Sequence, residues 1–225
     1  MLQHVFERAS MSRYPYCIMI ATDDDRIYKE ARDFGAPVRM TRADHLSGTD
    51  RVAEVAAAYP DVGWVVNIQG DEPLIDPAAI DAAILPLLDE PETPMGTLMK
   101  RIEDSRELHD PNVVKVVADH RGNALYFSRS TIPHARGAEG YSAVPVYKHI
   151  GLYVYRRDFL LGYSDLPVGP LEKAERLEQL RALENGYRIK VVETDYESVG
   201  VDTPEDLERV SELFAASLRG VNEHG

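Results

Sequence analysis

The stretch Trp64-Val-Val-Asn-Ile-Gln-Gly-Asp-Glu-Pro-Leu74 indicates the fold class and the position of a first candidate site. Its apolar run, residues 64–68, predicts a strand buried on both faces, as in a parallel sheet. Gly70 then permits a sharp turn, and Pro73 prevents the strand from continuing. Because open α/β sheets bind ligands at the carboxyl ends of their strands, we expect the amide and the two carboxylates of this turn to face a ligand.

The chemistry of this acidic turn favours a hard divalent cation. Carboxylates with no nearby cysteine and few nearby histidines suit Mg²⁺ rather than zinc. A solvated acidic turn after a core strand is the structural alternative, and the local sequence leaves both interpretations open.

The composition is that of a soluble globular protein. The chain has 225 residues, with 28% charged and 44% hydrophobic residues, which predicts a single domain spanning 1–225. The 25 lysines and arginines stand against 38 aspartates and glutamates, and this net charge of -13 argues against a nucleic-acid-binding surface. We find neither a membrane-spanning stretch nor a signal peptide, so we expect a cytoplasmic protein without a membrane partner.

Cys17 is the single cysteine, so an internal disulfide cannot form. It lies in the apolar sequence Cys17-Ile-Met-Ile20, which predicts a buried strand over 17–21 and a core position for the thiol.

The first 88 residues alternate helical and strand patterns, which predicts an α/β fold with a mostly parallel sheet and helices on both faces. In a doubly wound sheet, the chain usually begins with a central strand followed by a phosphate-binding loop. This chain opens on an amphipathic helix instead. We therefore expect that the first strand of the fold is missing from it.

The second half favours antiparallel pairing, because strand patterns follow one another directly. The predicted strands cover 95–101, 113–118, 124–128 and 147–155, with a hairpin-like turn at Asp119-His-Arg-Gly-Asn123 between the second and the third. They predict a small antiparallel lobe over about 95–160.

Asp202 forms a second acidic position, in Gly200-Val-Asp-Thr-Pro-Glu-Asp206. Thr203 as N-cap, Pro204 at the first helical position and Asp206 in the first turn have structural explanations, whereas Asp202 precedes the cap. Asp202 would complete a Mg²⁺ site with Asp71 if the two loops meet. A simple turn residue is the alternative.

The strand 147–155 separates by face, with Tyr147, His149, Gly151 and Tyr153 on the side opposite the apolar residues. Glycine inside a strand often marks the close approach of a ligand, so this face is a candidate for binding a hydroxylated substrate. A face covered by a loop or by another subunit is the alternative.

Three further positions are candidates for binding anions or polar groups. A long helix is predicted over 171–185, and Glu178, beside Gln179, falls within its apolar arc, where it needs a ligand or an internal arginine as partner. Arg129 follows an apolar strand and suits bidentate pairing with a carboxylate, or is a surface arginine. Ser47-Gly48 offers backbone N–H groups to an anion, while Thr49-Asp50 more simply caps a helix.

Together these pieces resemble the 3-deoxy-manno-octulosonate cytidylyltransferases, also called CMP-Kdo synthetases. The matching stretches cover the chain in order: Thr-Arg-Ala-Asp-His-Leu-Ser-Gly-Thr-Asp-Arg (41–51), Val-Asn-Ile-Gln-Gly-Asp-Glu-Pro (66–73), Asp-Pro-Asn-Val-Val-Lys-Val-Val (110–117), Ala-Leu-Tyr-Phe-Ser-Arg-Ser-Thr-Ile-Pro (124–133), Lys-His-Ile-Gly-Leu-Tyr (148–153), Leu-Glu-Gln-Leu-Arg (177–181) and Gly-Val-Asp-Thr-Pro-Glu-Asp (200–206). Each stretch alone is weak, whereas the ordered set is highly specific.

The resemblance implies a Rossmann-like fold of the nucleotide-diphospho-sugar transferase type, a homodimer and Mg²⁺ as cofactor. It implies that the 2-hydroxyl of Kdo attacks the α-phosphate of CTP, giving CMP-Kdo and diphosphate for lipopolysaccharide biosynthesis. The residues it implicates are Asp71 and Asp202 in catalysis and in Mg²⁺ binding, Gln69, Arg129, His149, Tyr153, Glu178 and Gln179 around Kdo, and Ser47, Gly48 and Arg51 at the nucleotide.

The chain departs from the family pattern at its start. The family begins with a strand and a loop of the form Ile-Pro-Ala-Arg-x-x-Ser-x-Arg-Leu-Pro-Gly-Lys-Pro-Leu, and this chain begins about where that segment ends. Without those cations we expect very weak turnover, and without the strand poor solubility. Two alternatives stay open: a cytidylyltransferase for another acidic sugar, such as 8-amino-Kdo or sialic acid, and a non-catalytic sugar-binding homologue.

Overall fold

The helices begin where capping residues stand in the sequence. The carboxylates of Asp24, Asp76 and Asp104 and the hydroxyl of Ser47 each accept a hydrogen bond from an N–H group of the first helical turn. The helices are α1 (Leu2–Ala9), α2 (Asp25–Asp33), α3 (Gly48–Ala57), α4 (Pro77–Asp89), α5 (Ser105–His109), α6 (Arg157–Leu161), α7 (Pro170–Glu175), α8 (Leu180–Glu184) and α9 (Pro204–Asn222). This computed structural model describes residues 1–136, 140–142, 144–201 and 203–222.

The strands form two separate sheets. They are β1 (Ile20–Thr22), β2 (Val38–Met40), β3 (Trp64–Asn67), β4 (Met95–Arg101), β5 (Lys115–Ala118), β6 (Ala124–Ser128), β7 (Tyr147–Arg156) and β8 (Ile189–Glu193). Strands β1 and β2 pair in parallel as a two-stranded sheet. The other six form one sheet in the order β6-β5-β7-β4-β8, with β3 also paired to β7.

The predicted α/β class is confirmed, but the larger sheet is mixed rather than mostly parallel. Strand β7 runs antiparallel to β3, β4 and β5, whereas β4 and β8 are parallel. The predicted hairpin is also present, because β5 and β6 pair antiparallel across the turn at Asp119–Asn123. The assignment of a separate antiparallel lobe to about 95–160 stays a prediction.

Both faces of strand β7 pack against apolar clusters of the core. Tyr155 enters an apolar cluster with Phe127, Leu160 and Leu180. Its neighbours Leu152 and Val154 enter a second cluster, which includes Ile80, Leu87 and Leu98. Helices therefore cover both faces of the six-stranded sheet, and the predicted alternation of this strand is confirmed.

The region around β1 and β3 differs from the prediction. The strand predicted over 17–21 is restricted to Ile20–Thr22, and Cys17 is exposed rather than in the core. Trp64, Val65 and Val66 are half-buried, so the prediction of a strand buried on both faces is wrong. The physical reason is that β3 pairs with β7 along one edge, while its other edge borders a groove.

Among the described residues, no helix combines the length and the apolarity that a membrane crossing requires.

Candidate active site

The acidic turn after β3 lies beside the polar face of β7. Strand β3 ends at Asn67, which stands opposite Tyr153 in the antiparallel register. Since the two chains run in opposite directions, the turn continues alongside the part of β7 that holds Gly151 and His149. Gln69 is exposed there, and Asp71 is half-buried. The register thus directs the predicted acidic turn toward the part of β7 that carries the predicted substrate-binding face.

Asp71 has a carboxylate oxygen that fits a metal ligand. Its Oδ1 is buried and has no hydrogen-bond partner among the described residues. A buried carboxylate oxygen without a donor is costly unless a cation or a ligand completes it. Mg²⁺ is typically held by one or two protein carboxylates together with substrate phosphates, so this donor set suits it. Within the described part of the chain, no group of three or more acidic, histidine or cysteine side chains is arranged to hold a metal by itself.

The loop before α9 reaches the same turn. The Val201 N–H donates a hydrogen bond to the Asp71 carbonyl oxygen over 3.0 Å. Asp202, the other predicted Mg²⁺ ligand, lies outside the described residues. Its preceding residue is nevertheless held at Asp71, as the predicted meeting of the two loops requires.

A hydrogen bond to Glu72 connects the loop before α9 to the acidic turn. The Glu72 side chain is only 8% exposed, and its Oε2 accepts a hydrogen bond from the Tyr196 hydroxyl over 3.0 Å. Burial raises the pKa of the Glu72 carboxyl, the Ser198 and Tyr196 hydrogen bonds oppose this rise, and the neighbouring Asp71 charge adds to it. The charged form of the buried Glu72 carboxylate is therefore stabilised by its hydroxyl donors.

Removing the Tyr196 hydroxyl should test that dependence. We expect Tyr196→Phe to lower the free energy of unfolding by about 1–3 kcal/mol at pH 8, because a buried acceptor loses a donor. The cost should be smaller at pH 4, where Glu72 is protonated and needs no donor for a charge. Urea unfolding at both pH values measures this difference, with Tyr16→Phe, at a residue that is 97% exposed, as control. Equal costs at both pH values would contradict the role of the charge.

The polar face of β7 is lined by aromatic rings. The His149 ring contacts the Phe127 ring edge-on, with centroids 5.1 Å apart, and lies 5.4 Å from the Tyr153 ring. Its Nε2 shares a hydrogen bond of 2.9 Å with the Thr97 hydroxyl. No atom lies within 4 Å of the position that a β-carbon would occupy at Gly151. The predicted gap between His149 and Tyr153 is therefore open space.

Burial keeps both polar rings of this face uncharged. It lowers the pKa of His149 to about 3, and it raises the pKa of Tyr153 well above the ordinary value. At neutral pH the face consequently offers a neutral imidazole and a neutral hydroxyl, which can donate or accept hydrogen bonds.

The depressed pKa of His149 predicts a pH-dependent stability. The unfolded chain binds a proton on this histidine near pH 6.5, whereas the folded chain does so only near pH 3. Between these values, acidification should therefore lower the free energy of unfolding by about 1.4 kcal/mol per pH unit relative to His149→Asn. Urea unfolding at pH 7.0, 5.5 and 4.5 measures the slope, with the exposed His109→Asn as control. Parallel curves for the parent chain and His149→Asn would refute it.

Glu178 and Gln179 lie in a turn between two short helices. The single helix predicted over 171–185 is wrong, because α7 ends at Glu175 and Arg176 adopts a left-handed conformation with φ 53°. Helix α8 then begins at Leu180. Gln179 is buried, and the Glu178 carbonyl accepts a hydrogen bond of 2.8 Å from the Tyr163 hydroxyl.

A buried ion pair holds this turn in place. Arg181 donates two hydrogen bonds to the Glu172 carboxylate, over 2.8 and 2.6 Å. Its guanidinium also lies 5.3 Å from the centre of the Tyr163 ring. Arg181 thereby connects α8 to α7 and to the tyrosine that fixes Glu178.

The N-terminus of α3 meets Glu178. The Ser47 hydroxyl donates to the Glu178 Oε1 over 3.4 Å while capping α3, and the Thr49 hydroxyl also bonds this carboxylate. Burial raises the pKa of Glu178, and these hydroxyls and the charge of Arg181 oppose the rise. The structure thus joins a predicted nucleotide-binding position to a predicted sugar-binding one, and Gly48 beside them is exposed.

The two predicted cationic site residues have different surroundings. The Arg129 Nε and Nη1 donate to the carbonyl oxygens of Glu175 and Pro111, over 2.8 and 2.9 Å. These neutral acceptors orient the guanidinium without cancelling its charge. Arg51 instead forms an ion pair of 3.0 Å with Asp23 and a hydrogen bond of 2.5 Å with the Thr41 hydroxyl. Its contacts connect α3 to the β1 region.

Sequence reasoning missed several residues that position the site. Thr97 holds His149, and Tyr196 holds the α9 loop through its hydrogen bond to Glu72. The expectation that both carboxylates of the turn face a ligand is wrong for Glu72, because its side chain is buried against Tyr196. The sequence pattern explains Thr49 only as part of a helix cap. A threonine inside an apolar strand has no distinguishing local signal, because its partner stands 52 residues away in the chain.

Comparisons with known proteins agree with this geometry. The profile of the cytidylyltransferase family matches residues 1–190. The 3-deoxy-manno-octulosonate cytidylyltransferase of Solibacter usitatus is 70% identical over 97% of this chain and 85% of its own length. That of Syntrophotalea carbinolica is 55% identical over 98% of this chain and 89% of its own length.

Solved structures show the same relationship. A structure of CMP:2-keto-3-deoxy-manno-octonic acid synthetase complexed with CTP matches with a TM-score of 0.90 and 42% identity, over 96% of this chain and 88% of that one. A 4-diphosphocytidyl-2C-methyl-D-erythritol synthase from Anaerococcus prevotii matches with a TM-score of 0.60 over 95% of this chain and 88% of that one, at 14% identity, which indicates a shared fold alone. The family match over most of the chain and the close relatives together establish that this protein belongs to the cytidylyltransferase family, among the 3-deoxy-manno-octulosonate cytidylyltransferases.

Proposed function

We propose that this protein transfers the cytidylyl group of CTP to 3-deoxy-D-manno-octulosonate, with Mg²⁺ as cofactor, and so makes CMP-Kdo for lipopolysaccharide biosynthesis. The observation that carries the proposal is the unpartnered Asp71 oxygen beside the open, aromatic-lined face of β7. The relatives that are named for this reaction support the choice of substrates.

In the proposed reaction, the sugar 2-hydroxyl oxygen forms a bond to the α-phosphorus of CTP. The bond from that phosphorus to the diphosphate oxygen breaks, and the hydroxyl proton passes to solvent or to a nearby base. A bound Mg²⁺ would neutralise phosphate charge and align the two substrates. Asp71 and Asp202 are the residues proposed to hold it.

The other residues bind and orient the substrates in this proposal. The N-terminus of α3, with Ser47 and Gly48, provides N–H groups and a positive helix end for phosphate oxygens. Arg129 provides a fixed positive charge for the sugar carboxylate. Neutral His149 and Tyr153, with Gln69, Glu178 and Gln179, provide hydrogen-bonding groups for its hydroxyls.

Diphosphate release from CTP, Kdo and Mg²⁺ tests the proposal. We expect release that requires all three components and that falls when 8-amino-Kdo or sialic acid replaces Kdo. Faster release with either of those sugars would assign a different substrate. Binding of Kdo without binding of CTP, measured by separate calorimetric titrations, would favour a non-catalytic sugar-binding protein.

We also propose that the protein acts as a cytoplasmic homodimer. The family resemblance supports both parts of this proposal, and the exposed Leu125 on β6 is one apolar position that an interface would cover. Light scattering coupled to gel filtration measures the mass directly. A monomer at all concentrations up to about 100 µM, well above the Kd expected of a stable interface, would contradict the dimer.

A further inference from the structure

Three lysines stand side by side on neighbouring strands of the larger sheet. Lys148 on β7 lies opposite Lys100 on β4 and opposite Lys115 on β5. Residues that lie opposite one another in antiparallel strands project from the same face, where like charges repel. Lys115 donates to the carbonyl oxygens of Asp110 and Val113, over 2.8 and 2.5 Å. The other two lysines of the row interact with carboxylates.

Glu197 binds both of these lysines from the loop between β8 and α9. Its Oε1 accepts a hydrogen bond from the Lys148 Nζ over 2.5 Å, and its Oε2 lies 2.8 Å from the Lys100 Nζ. Lys100 also donates to the Asp195 carbonyl oxygen over 2.9 Å. This part of the loop is therefore attached to the side chains of two adjacent strands.

Lys148 is the central charge of this group. Its Nζ also donates to the Glu107 Oε1 on α5, over 2.6 Å, and its side chain is only 9% exposed. Burial alone would lower the pKa of Lys148, but the hydrogen bonds to Glu107 and Glu197 and the charges of these carboxylates raise it above the ordinary value. The lysine is therefore charged at neutral pH, and it joins β7, α5 and the loop.

The same loop continues to the proposed metal site. Four residues after Glu197, the Val201 N–H donates to the Asp71 carbonyl oxygen over 3.0 Å. Between these two attachments, the Tyr196 hydroxyl is bonded to the buried Glu72. Asp202 is the next residue of the chain. The contacts that place Val201 therefore also restrict where Asp202 can lie.

We propose that Lys148 is a positioning residue for the metal site, because it holds, through Glu197, the loop that brings Asp202 to Asp71. This inference rests on the proposed function, which assigns Mg²⁺ to these two aspartates. Side chains alternate along β7, so Lys148 supports the loop from one face while the adjacent His149 projects from the other. One strand thus fixes the metal-binding loop relative to the sugar-facing rings.

Loss of the Lys148 charge should displace the loop rather than α5. Glu107 and Glu197 both approach the Lys148 Nζ, so they would be left as neighbouring like charges. Glu107 belongs to α5, whereas Glu197 lies outside the helices and strands of the described chain. The repulsion therefore acts on the more weakly held partner, Glu197, and moves Val201 away from Asp71.

Hydrogen exchange at the Val201 amide measures the anchoring without metal or substrate. We expect Lys148→Met to accelerate this exchange at least about tenfold, because the loop opens locally when a buried charge loses its partner. Exchange at Val154, which is fully buried on β7, should rise less. Lys148→Arg keeps a charge that can bind both carboxylates, so it should restore most of the protection.

Metal binding separates positioning from a purely structural role. With CTP present, Mn²⁺ should bind Lys148→Met at least about fivefold more weakly than the unsubstituted chain, and Lys148→Arg should recover most of the affinity. In diphosphate release, Lys148→Met should raise the KM for Mg²⁺ more than it lowers kcat. Lys173→Met makes the same change at an exposed position on α7 and should alter none of these quantities.

The outcomes distinguish this inference from the proposed function. Unchanged Val201 exchange in Lys148→Met, or lower stability with unchanged Mn²⁺ affinity, would overturn the inference and leave the proposed function intact. If the unsubstituted chain does not bind Mn²⁺ with CTP, the proposed metal site fails and the inference fails with it. If Lys148→Met does not fold, Glu197→Ala decides, because this side chain is 46% exposed and releases the same loop. Unchanged Val201 exchange in Glu197→Ala would then overturn the inference.

Discussion

Replacing Asp71 with asparagine is expected to lower kcat/KM for diphosphate release about a thousandfold relative to the unsubstituted chain. The substitution keeps the shape of the side chain but removes the negative charge that the proposed Mg²⁺ site requires. Losing charge stabilisation of this kind at a phosphoryl centre costs several kcal/mol of transition-state binding. The carboxylate oxygen concerned is buried and has no partner among the described residues, so no protein cation replaces the lost interaction.

Metal binding provides a readout that does not depend on turnover. We expect Mn²⁺, followed by its electron paramagnetic resonance signal, to bind the unsubstituted chain with CTP present and to bind Asp71→Asn at least about tenfold more weakly. Asp89→Asn is the matched control, because Asp89 is exposed at the end of α4. Unchanged Mn²⁺ affinity in Asp71→Asn would exclude this residue as a ligand, whatever the activity.

Replacing Arg181 with alanine is expected to destabilise the protein by about 3–5 kcal/mol. The Arg181 and Glu172 side chains are only 15% and 11% exposed, and removing the arginine leaves a buried carboxylate without its partner. Tyr163 also loses its guanidinium contact, and with it the support of the Glu178 carbonyl weakens. We therefore expect a higher KM for Kdo in addition to a lower urea midpoint.

A double substitution separates the ion pair from the packing of the turn. Glu172→Leu combined with Arg181→Met removes both charges and keeps apolar volume, so most of the lost stability should return. Lys173→Ala, at an exposed position on α7, is the control and should change stability by less than about 0.5 kcal/mol. If the double variant is as unstable as Arg181→Ala, the buried charge is not the cause.

The elements with strong periodicity and capping residues were predictable from the sequence. The turn after β3, the alternation along β7 and the hairpin at Asp119–Asn123 all follow from local patterns, and the structure contains each of them. The ordered family motifs also implicated His149, Tyr153 and Glu178. The structure brings these residues near one another because β7 and α8 pack on a common core.

The features that the sequence did not predict depend on distant partners. Residues 171–185 have a helical apolar pattern, yet the helix ends at Glu175, whose carboxylate is bound by Ser128 and by the Arg129 N–H, and Arg176 is left-handed. Cys17 has apolar neighbours, yet it is exposed because the groove beside β1 is open. Tertiary contacts override local preference at both places.

The position of β4 also determines when the sheet can form during synthesis. Strand β4 is paired on one side with β7 and on the other with β8, and 92 residues separate its end at Arg101 from the end of β8 at Glu193. A ribosome adding about 5–20 residues per second needs about 5–18 s to produce them. Until β7 ends at Arg156, 55 residues after Arg101, Met95 and Leu98 have neither neighbouring strand to cover them, and until β8 is complete they have only one, although both are fully buried in the finished protein. We therefore expect the nascent chain to expose this apolar strand for several seconds, and such exposed strands are the segments that chaperones at the ribosome exit bind.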